Sequence, residues 1–366
     1  AFSTASMPHF LSGPEGENKA HPPFNAYMAL AMLAELTDGN SRQQILDLVG
    51  ADSIEDLRTQ ANAVWNGQYR NDGATTSILA SSLWLNEDVS FVEDTMKRLA
   101  DTYYASSYQG EMGSQELNKA LQDWLNAQTG GLLENQVNEI TMDPETVMTI
   151  ATTLYYQAKW AQTFDAANTS PEPFHTLSGD ITCDFMHSNS VGTYYWGDQF
   201  GAVARPLGND GGTMWFLLPD EGVTVQELLE HPQTMEFLLS GGNWADSKTL
   251  RINLSLPKFD VSSQMDLKEG LQALGVTDVF EEEKSNFSPM ATEIDQIVLS
   301  QAKHGVRVAV DEEGVTAAAY TVMSMTGTGA PPEDEMDFNL NRPFLFAITS
   351  EDGLPLFVGS VYQPTT

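Results

Sequence analysis

The sequence predicts an α+β fold: helical patterns crowd the first third, strand patterns fill the rest, and no βαβ alternation links them. Residues 26–36 are rich in Ala, Leu and Met, all strong helix formers, and residues 41–49 run into Gly50, a natural helix stop. Ser53 with Asp56, and Ser90 with Glu93, have the spacing of capping boxes ahead of further helices. From about Val147 the texture changes to strands. Residues 214–218 form a short apolar run closed by the turn Pro219-Asp220-Glu221-Gly222. Leu250, Ile252, Leu254 and Leu256 alternate strictly, as do Val306, Val308 and Val310, which is the period of a strand with one buried face. Residues 344–348 and 354–358 read as two buried strands joined by Glu351-Asp352-Gly353. No linker, repeat or composition break interrupts the pattern, so a single domain over 1–366 is expected.

Composition narrows the function more by exclusion than by assignment. The 366 residues carry 51 Asp+Glu against 17 Lys+Arg, a formal net charge of −34. Such a surface repels phosphate backbones and anionic lipids, so neither nucleic acid nor membrane is an expected partner. A hydrophobic share of 41% is too rich for a disordered acidic tail. The lone Cys183 rules out an internal disulfide framework and a zinc knuckle. Ala1 follows no charged-then-apolar leader, which reads as a processed or trimmed start. The six histidines are scattered, and the sequence has no G-x-S-x-G elbow, Walker loop, H-E-x-x-H or EF-hand loop. No metal, cofactor or catalytic centre is expected.

One stretch stands apart. Residues 315–332 contain no Asp, Glu, Lys or Arg, in a chain where these make up 19%. Asp311-Glu312-Glu313-Gly314 precedes it and Glu333-Asp334-Glu335 follows. Its composition allows a buried strand or an Ala-rich helix. The set Val315, Ala317, Ala319 is unusually small for a permanent core strand, however, and the β-branched residues and later Gly327, Gly329 and Pro331-Pro332 speak against a helix. Such a segment can lie exposed as a loop, or enter a sheet as a strand with little side chain in its way.

At this point the sequence resembles a known family, the serpins. Glu312-Glu313-Gly314-Val315-Thr316-Ala317-Ala318-Ala319 is similar to the proximal hinge of the serpin reactive-centre loop. The resemblance covers nearly the whole chain. It includes Ala29-Leu30-Ala31-Met32-Leu33, Leu154-Tyr155-Tyr156-Gln157-Ala158-Lys159-Trp160, Leu256-Pro257-Lys258-Phe259, His304, Arg342-Pro343-Phe344-Leu345-Phe346 and Leu356-Phe357-Val358-Gly359. Two positions depart from the family pattern: Pro22-Pro23-Phe24-Asn25 replaces a Ser-rich segment, and Thr152 stands where Asn is expected.

The resemblance implies a serpin fold, with helices around a large central sheet plus two smaller sheets, and an exposed reactive-centre loop over about 312–337. It implies an inhibitory, prokaryotic-type member that acts as a suicide substrate: a serine protease cleaves the loop, which then inserts into the main sheet and traps the acyl-enzyme. Counting from the hinge places the reactive bond at Thr328-Gly329, with cleavage after Met325 or Met323 as alternatives. Thr at the cleaved position suits elastase- or subtilisin-like proteases with small pockets. Trp160, His304, Asn25 and Thr152 would surround the point where the sheet opens. By parity with Val306, Val308 and Val310, His304 should face inward, as a hydrogen-bonded core residue or a pH-sensitive switch. The implied protein is a monomer, extracellular or at the cell surface, and no enzyme. Heparin is not an expected partner, because only Arg58 and Arg70 lie on the segment ahead of the strand at 79–84. A non-inhibitory carrier or chaperone and a cysteine-protease inhibitor are the alternatives.

Overall fold

A computed structural model describes residues 2–12, 15–71, 75–208, 211–291, 293–294, 296–300, 303–315 and 334–365, the side chains of 136, 264, 265, 303 and 304 excepted. In chain order the strands are β1 (Lys19–His21), β2 (Arg70–Asn71), β3 (Thr75–Asn86), β4 (Ser106–Gly110), β5 (Met148–Lys159), β6 (Thr169–Thr176), β7 (Gly179–Trp196) and β8 (Phe200–Pro206). There follow β9 (Thr213–Pro219), β10 (Ser247–Pro257), β11 (Phe259–Asp266), β12 (Lys303–Val310), β13 (Gly314–Val315), β14 (Glu335–Asn339), β15 (Phe344–Thr349) and β16 (Pro355–Val361). The longer helices are α1 (Phe2–Leu11), α2 (Pro23–Leu36), α3 (Gly39–Val49), α4 (Ile54–Gln68), α5 (Glu93–Tyr103) and α6 (Gln115–Gln128).

Seven strands make the main sheet, in the order β11-β12-β13-β5-β3-β2, with β4 also on β3. The other nine form a second sheet, β1-β16-β15-β9-β8-β7-β10-β14, with β6 on β7. Among the described residues, its two halves join only where Tyr194, Tyr195 and Trp196 of β7 pair with Val203, Ala202 and Gly201 of β8. The two smaller sheets expected from the resemblance are thus continuous through the long strand β7.

Local sequence accounts for much of this. Val306, Val308 and Val310 are buried on β12, and Leu250, Ile252, Leu254 and Leu256 on β10, as their alternation requires. Gly50 closes α3 at φ 75°, the left-handed conformation that favours glycine. The Ser53 Oγ accepts from the Asp56 N–H at the start of α4. Ser90 does not cap: α5 begins at Glu93 behind Val92, which makes no side-chain cap. The first third also holds a twelve-residue strand, β3. Thr75, Ser77, Ser81 and Ser82 on it are buried but polar, so its apolar alternation is weak and only residues 79–84 read as strand in the sequence.

α2 is buried along nearly all its length, packed against β5 of the main sheet and β16 of the second. Its Ala/Leu/Met run from Met28 to Ala34 suits a helix with little solvent face. Leu117, Leu121 and Leu125 of α6 lie four residues apart and pack with Trp84 of β3. No helix among the described residues is long and apolar enough to cross a membrane.

Candidate functional site

Among the described residues, the main sheet is parted in the middle. β12 and β5 are neighbours separated by β13, which pairs Val315 with Val310 on one side and with Ala158 on the other. Gly314 pairs with Lys159, and there the filling ends. Among the described residues, no strand borders β5 on that side from Met148 to Gln157. Beneath this edge lies a cavity of about 980 Å³, whose walls include Asn25 and Leu30 of α2, Leu121 of α6, Tyr156 of β5 and Val306 of β12. A strand edge with unspent N–H and C=O groups is a template for another strand.

The residues that lead into this slot are held by a set of hydrogen bonds. The Trp160 backbone N–H donates to the Glu313 carbonyl at 3.0 Å, and that of Phe164 to the Glu312 carbonyl at 3.0 Å. The Trp160 indole N–H donates to the Asp311 carbonyl at 2.9 Å. The Asp311 Oδ1 accepts from the Glu313 and Gly314 N–H groups, which curls the chain into a turn. A Cβ at position 314 would lie 2.7 Å from the Lys159 Cα, so only glycine lets the backbone come this close.

The Glu312 carboxylate reaches across to the second sheet. It accepts from the Thr169 Oγ1 at 2.9 Å and pairs with the Lys258 Nζ at 3.1 Å. Burial pushes the Glu312 carboxyl up, but its backbone hydrogen bond, Lys258 and Thr169 outweigh burial and hold it below its ordinary range. A carboxyl depressed in the folded state stabilises above its unfolded pKa, and that contribution is lost as pH falls through the carboxylate range. Acidification should therefore loosen the 311–314 turn. The protection factors of the Glu313 and Gly314 amides should fall as pH falls, and Lys258→Met should already show lowered protection at neutral pH. Equal protection in both proteins at neutral pH would refute the clamp.

Behind the clamp, the Arg205 guanidinium lies 3.7 Å from the Phe164 ring and 5.4 Å from that of Trp160. It donates to the Ser188 Oγ at 3.2 Å and the Gln162 carbonyl at 2.5 Å, and burial lowers its pKa to about 10.

The structure places the residues expected at the opening in part. Trp160 stands at the top of the slot, and the Asn25 Nδ2 donates to the Thr152 carbonyl at 3.3 Å. The His304 backbone lies in β12 opposite Met265; its side chain is outside the described residues. Of the hinge, Glu312, Glu313, Gly314 and Val315 are described, and Val315 is buried. Thr316, Ala317, Ala318 and Ala319, and Met323, Met325, Thr328 and Gly329, lie outside the described residues. Arg58, counted as a surface base in the sequence, faces inward to Glu35. Sequence reasoning missed Lys258, Thr169 and Phe164 as contacts of the hinge, and Arg205 behind Phe164 and Trp160. Lys258 stood in the sequence only as part of the motif Leu256-Pro257-Lys258-Phe259, with nothing to tie it to Glu312.

The chain belongs to the serpin (serine protease inhibitor) family, whose model matches residues 1–364. Many serpins inhibit serine proteases, and the family consists mostly of inhibitors rather than enzymes. The chain is 27% identical to Serpin-ZX of Arabidopsis thaliana, covering 96% of this chain and 93% of the relative. It superposes on the native state of tengpin, a thermophilic serpin, with a TM-score of 0.86 and 27% identity over 99% of this chain and 93% of that one. Thyroxine-binding globulin in complex with thyroxine gives a TM-score of 0.84 at 18% identity, covering 100% of this chain and 98% of that one, a likeness of fold alone.

Proposed function

We propose that this chain, as a single domain over 1–366, is a suicide-substrate inhibitor of serine proteases with small-residue, elastase- or subtilisin-like specificity. The protease serine attacks the carbonyl carbon of Thr328 in the loop spanning about 312–337. The Thr328-Gly329 bond breaks, an ester to the protease forms, and Gly329 leaves with a new amino terminus. The freed hinge then continues β13 down the slot between β5 and β12 and carries the bound protease with it. Deformation of the protease displaces its oxyanion hole, so the ester persists. The driving free energy is the difference between a parted sheet and a filled one, held back kinetically until cleavage.

The parted sheet carries this reading. Among the described residues, the free edge of β5 spans about ten residues, or roughly 33 Å at about 3.3 Å per residue. Extending the register of β13 sets Ala317 between Tyr156 and Val308, Ala319 between Leu154 and Val306, and Thr321 beside Thr152. Small side chains thus meet the large inward residues of β5, and every residue from Val315 to Met325 is uncharged. The reading extends to a monomer that acts outside the cell or at its surface, without heparin.

The test is incubation with elastase-, subtilisin- and chymotrypsin-like proteases, followed by gel electrophoresis in SDS and mass spectrometry of the released C-terminal peptide. An SDS-stable complex and a peptide beginning at Gly329 are expected. A peptide beginning at Thr326 or Ser324 would move the reactive bond to Met325 or Met323. Cleavage without a stable complex and without a gain in heat stability would overturn inhibition in favour of a carrier or chaperone. A complex formed only with cysteine proteases would reassign the target class.

A further inference from the structure

A second cavity, of about 460 Å³, opens in the β6-β7-β10-β14 half of the second sheet. Its size is in the range of small-molecule sites. Sheet register brings its polar wall together: Ser255 of β10 stands opposite His187 of β7 and Asn339 of β14. The His187 ring is fixed at both nitrogens, with Nε2 2.7 Å from the Glu172 Oε1 and Nδ1 3.2 Å from the Ser255 Oγ. A carboxylate only accepts, so with a neutral ring Nε2 carries the proton toward Glu172 and the Ser255 hydroxyl donates to Nδ1. This wall is pre-organised.

Other groups around the cavity keep their hydrogen-bonding capacity. Among the described residues, the side chains of Asn168, Asn339 and Asn341 make no hydrogen bond, and neither does the second oxygen of Glu172. Each amide offers two donors and an acceptor, the complement of hydroxyl groups that both donate and accept. Among the described residues no Lys or Arg lines the cavity, so its wall offers no cationic side chain of that kind to a phosphate or sulfate. Pro173, Phe185 and Leu254 add an apolar side against which the C–H face of a sugar ring can lie.

We infer that this cavity binds a neutral, hydroxyl-rich ligand of roughly one or two sugar rings. Its occupant would bridge β6, whose Thr169 holds Glu312 of the hinge, and β14, the strand that follows the charge-free segment. Binding should therefore raise the thermal midpoint of the folded chain by mass action. The inference does not depend on protease inhibition.

The experiment is ligand-observed NMR and titration calorimetry on the full chain with glucose, maltose, trehalose and myo-inositol, and with inorganic phosphate and spermidine as charged probes. Saturable binding of at least one neutral probe is expected, with a higher thermal midpoint. Asn339→Ala and Asn341→Ala, at exposed and half-exposed positions, should each weaken binding at least fivefold and leave the circular dichroism unchanged. A glycopeptide tested against its deglycosylated form separates a partner's glycan from a free saccharide. No saturable binding by any neutral probe or the glycopeptide, preference for a charged probe, or unchanged affinity in both variants would each overturn the inference.

Discussion

Ala317→Glu is expected to convert the protein from an inhibitor into a substrate, with the SDS-stable complex lost and the loop cleaved at an undiminished rate. The expectation rests on the proposed mechanism and on the register of β13. Continued by two residues, that register puts position 317 between Tyr156, 5% exposed, and Val308, 2% exposed. A carboxylate arriving there loses its water and meets no cation, at a cost of about 3 kcal/mol or more. If the insertion transition state feels most of that cost, insertion slows by a factor of ~100, and hydrolysis of the acyl-enzyme overtakes it. Val315→Arg is not an equivalent test, because Val315 is already buried in the sheet before cleavage and a charge there destabilises the uncleaved chain as well as the inserted one. The control is Thr316→Glu, which adds the same charge on the opposite face, beside the half-buried Gln157 and Ala309. It should leave the complex yield near that of the parent. Equal yields for Ala317→Glu and Thr316→Glu would refute both the register and the insertion.

The contrast between these positions shows what the sequence could and could not supply. Period-2 alternation made β10 and β12 legible, and the gap in charge drew attention to the segment after Gly314, because both signals lie in consecutive residues. The contacts of the hinge are of another kind. Lys258, Thr169 and Glu312 come from three separate strands or turns, and only the packing of the two sheets brings them within hydrogen-bonding distance. The polar wall around His187 depends likewise on the register of β6, β7, β10 and β14, so the scattered histidines of the linear sequence gave no hint of it. β3 was only partly legible, because a strand paired on both edges can bury serines whose side chains break the apolar alternation. Ser90 shows the converse: the spacing of a capping box was present, but α5 starts without using it.

Arg58→Met should cause the largest loss of stability of any single change considered. Glu35, on the largely apolar α2, has a side chain 0% exposed. Arg58 of α4 meets it with two parallel hydrogen bonds, Nε to Oε1 at 2.7 Å and a terminal nitrogen to Oε2 at 2.8 Å. The Tyr103 hydroxyl of α5 donates to Oε1 at 3.1 Å, and the Arg98 Nε lies 3.9 Å from Oε2. This carboxylate therefore joins α2, α4 and α5, and the hydrogen bond to it raises the Arg58 pKa further. Removing Arg58 leaves a buried carboxylate with one hydroxyl and one distant cation, a change that typically costs about 3–5 kcal/mol. For a chain of this length that is a fall of roughly 4–7 °C in the thermal midpoint. The double variant Glu35→Leu/Arg58→Met removes the buried charge along with its partner, and it should recover most of that loss because an apolar pair requires no desolvation of ions. If the double variant melts as low as Arg58→Met, the cost lies in lost packing of the arginine stem and not in the stranded carboxylate. The same comparison bears on heparin: Arg58 is committed to Glu35, so a polyanion binding to this face of α4 would have to break the pair that holds α2 in place.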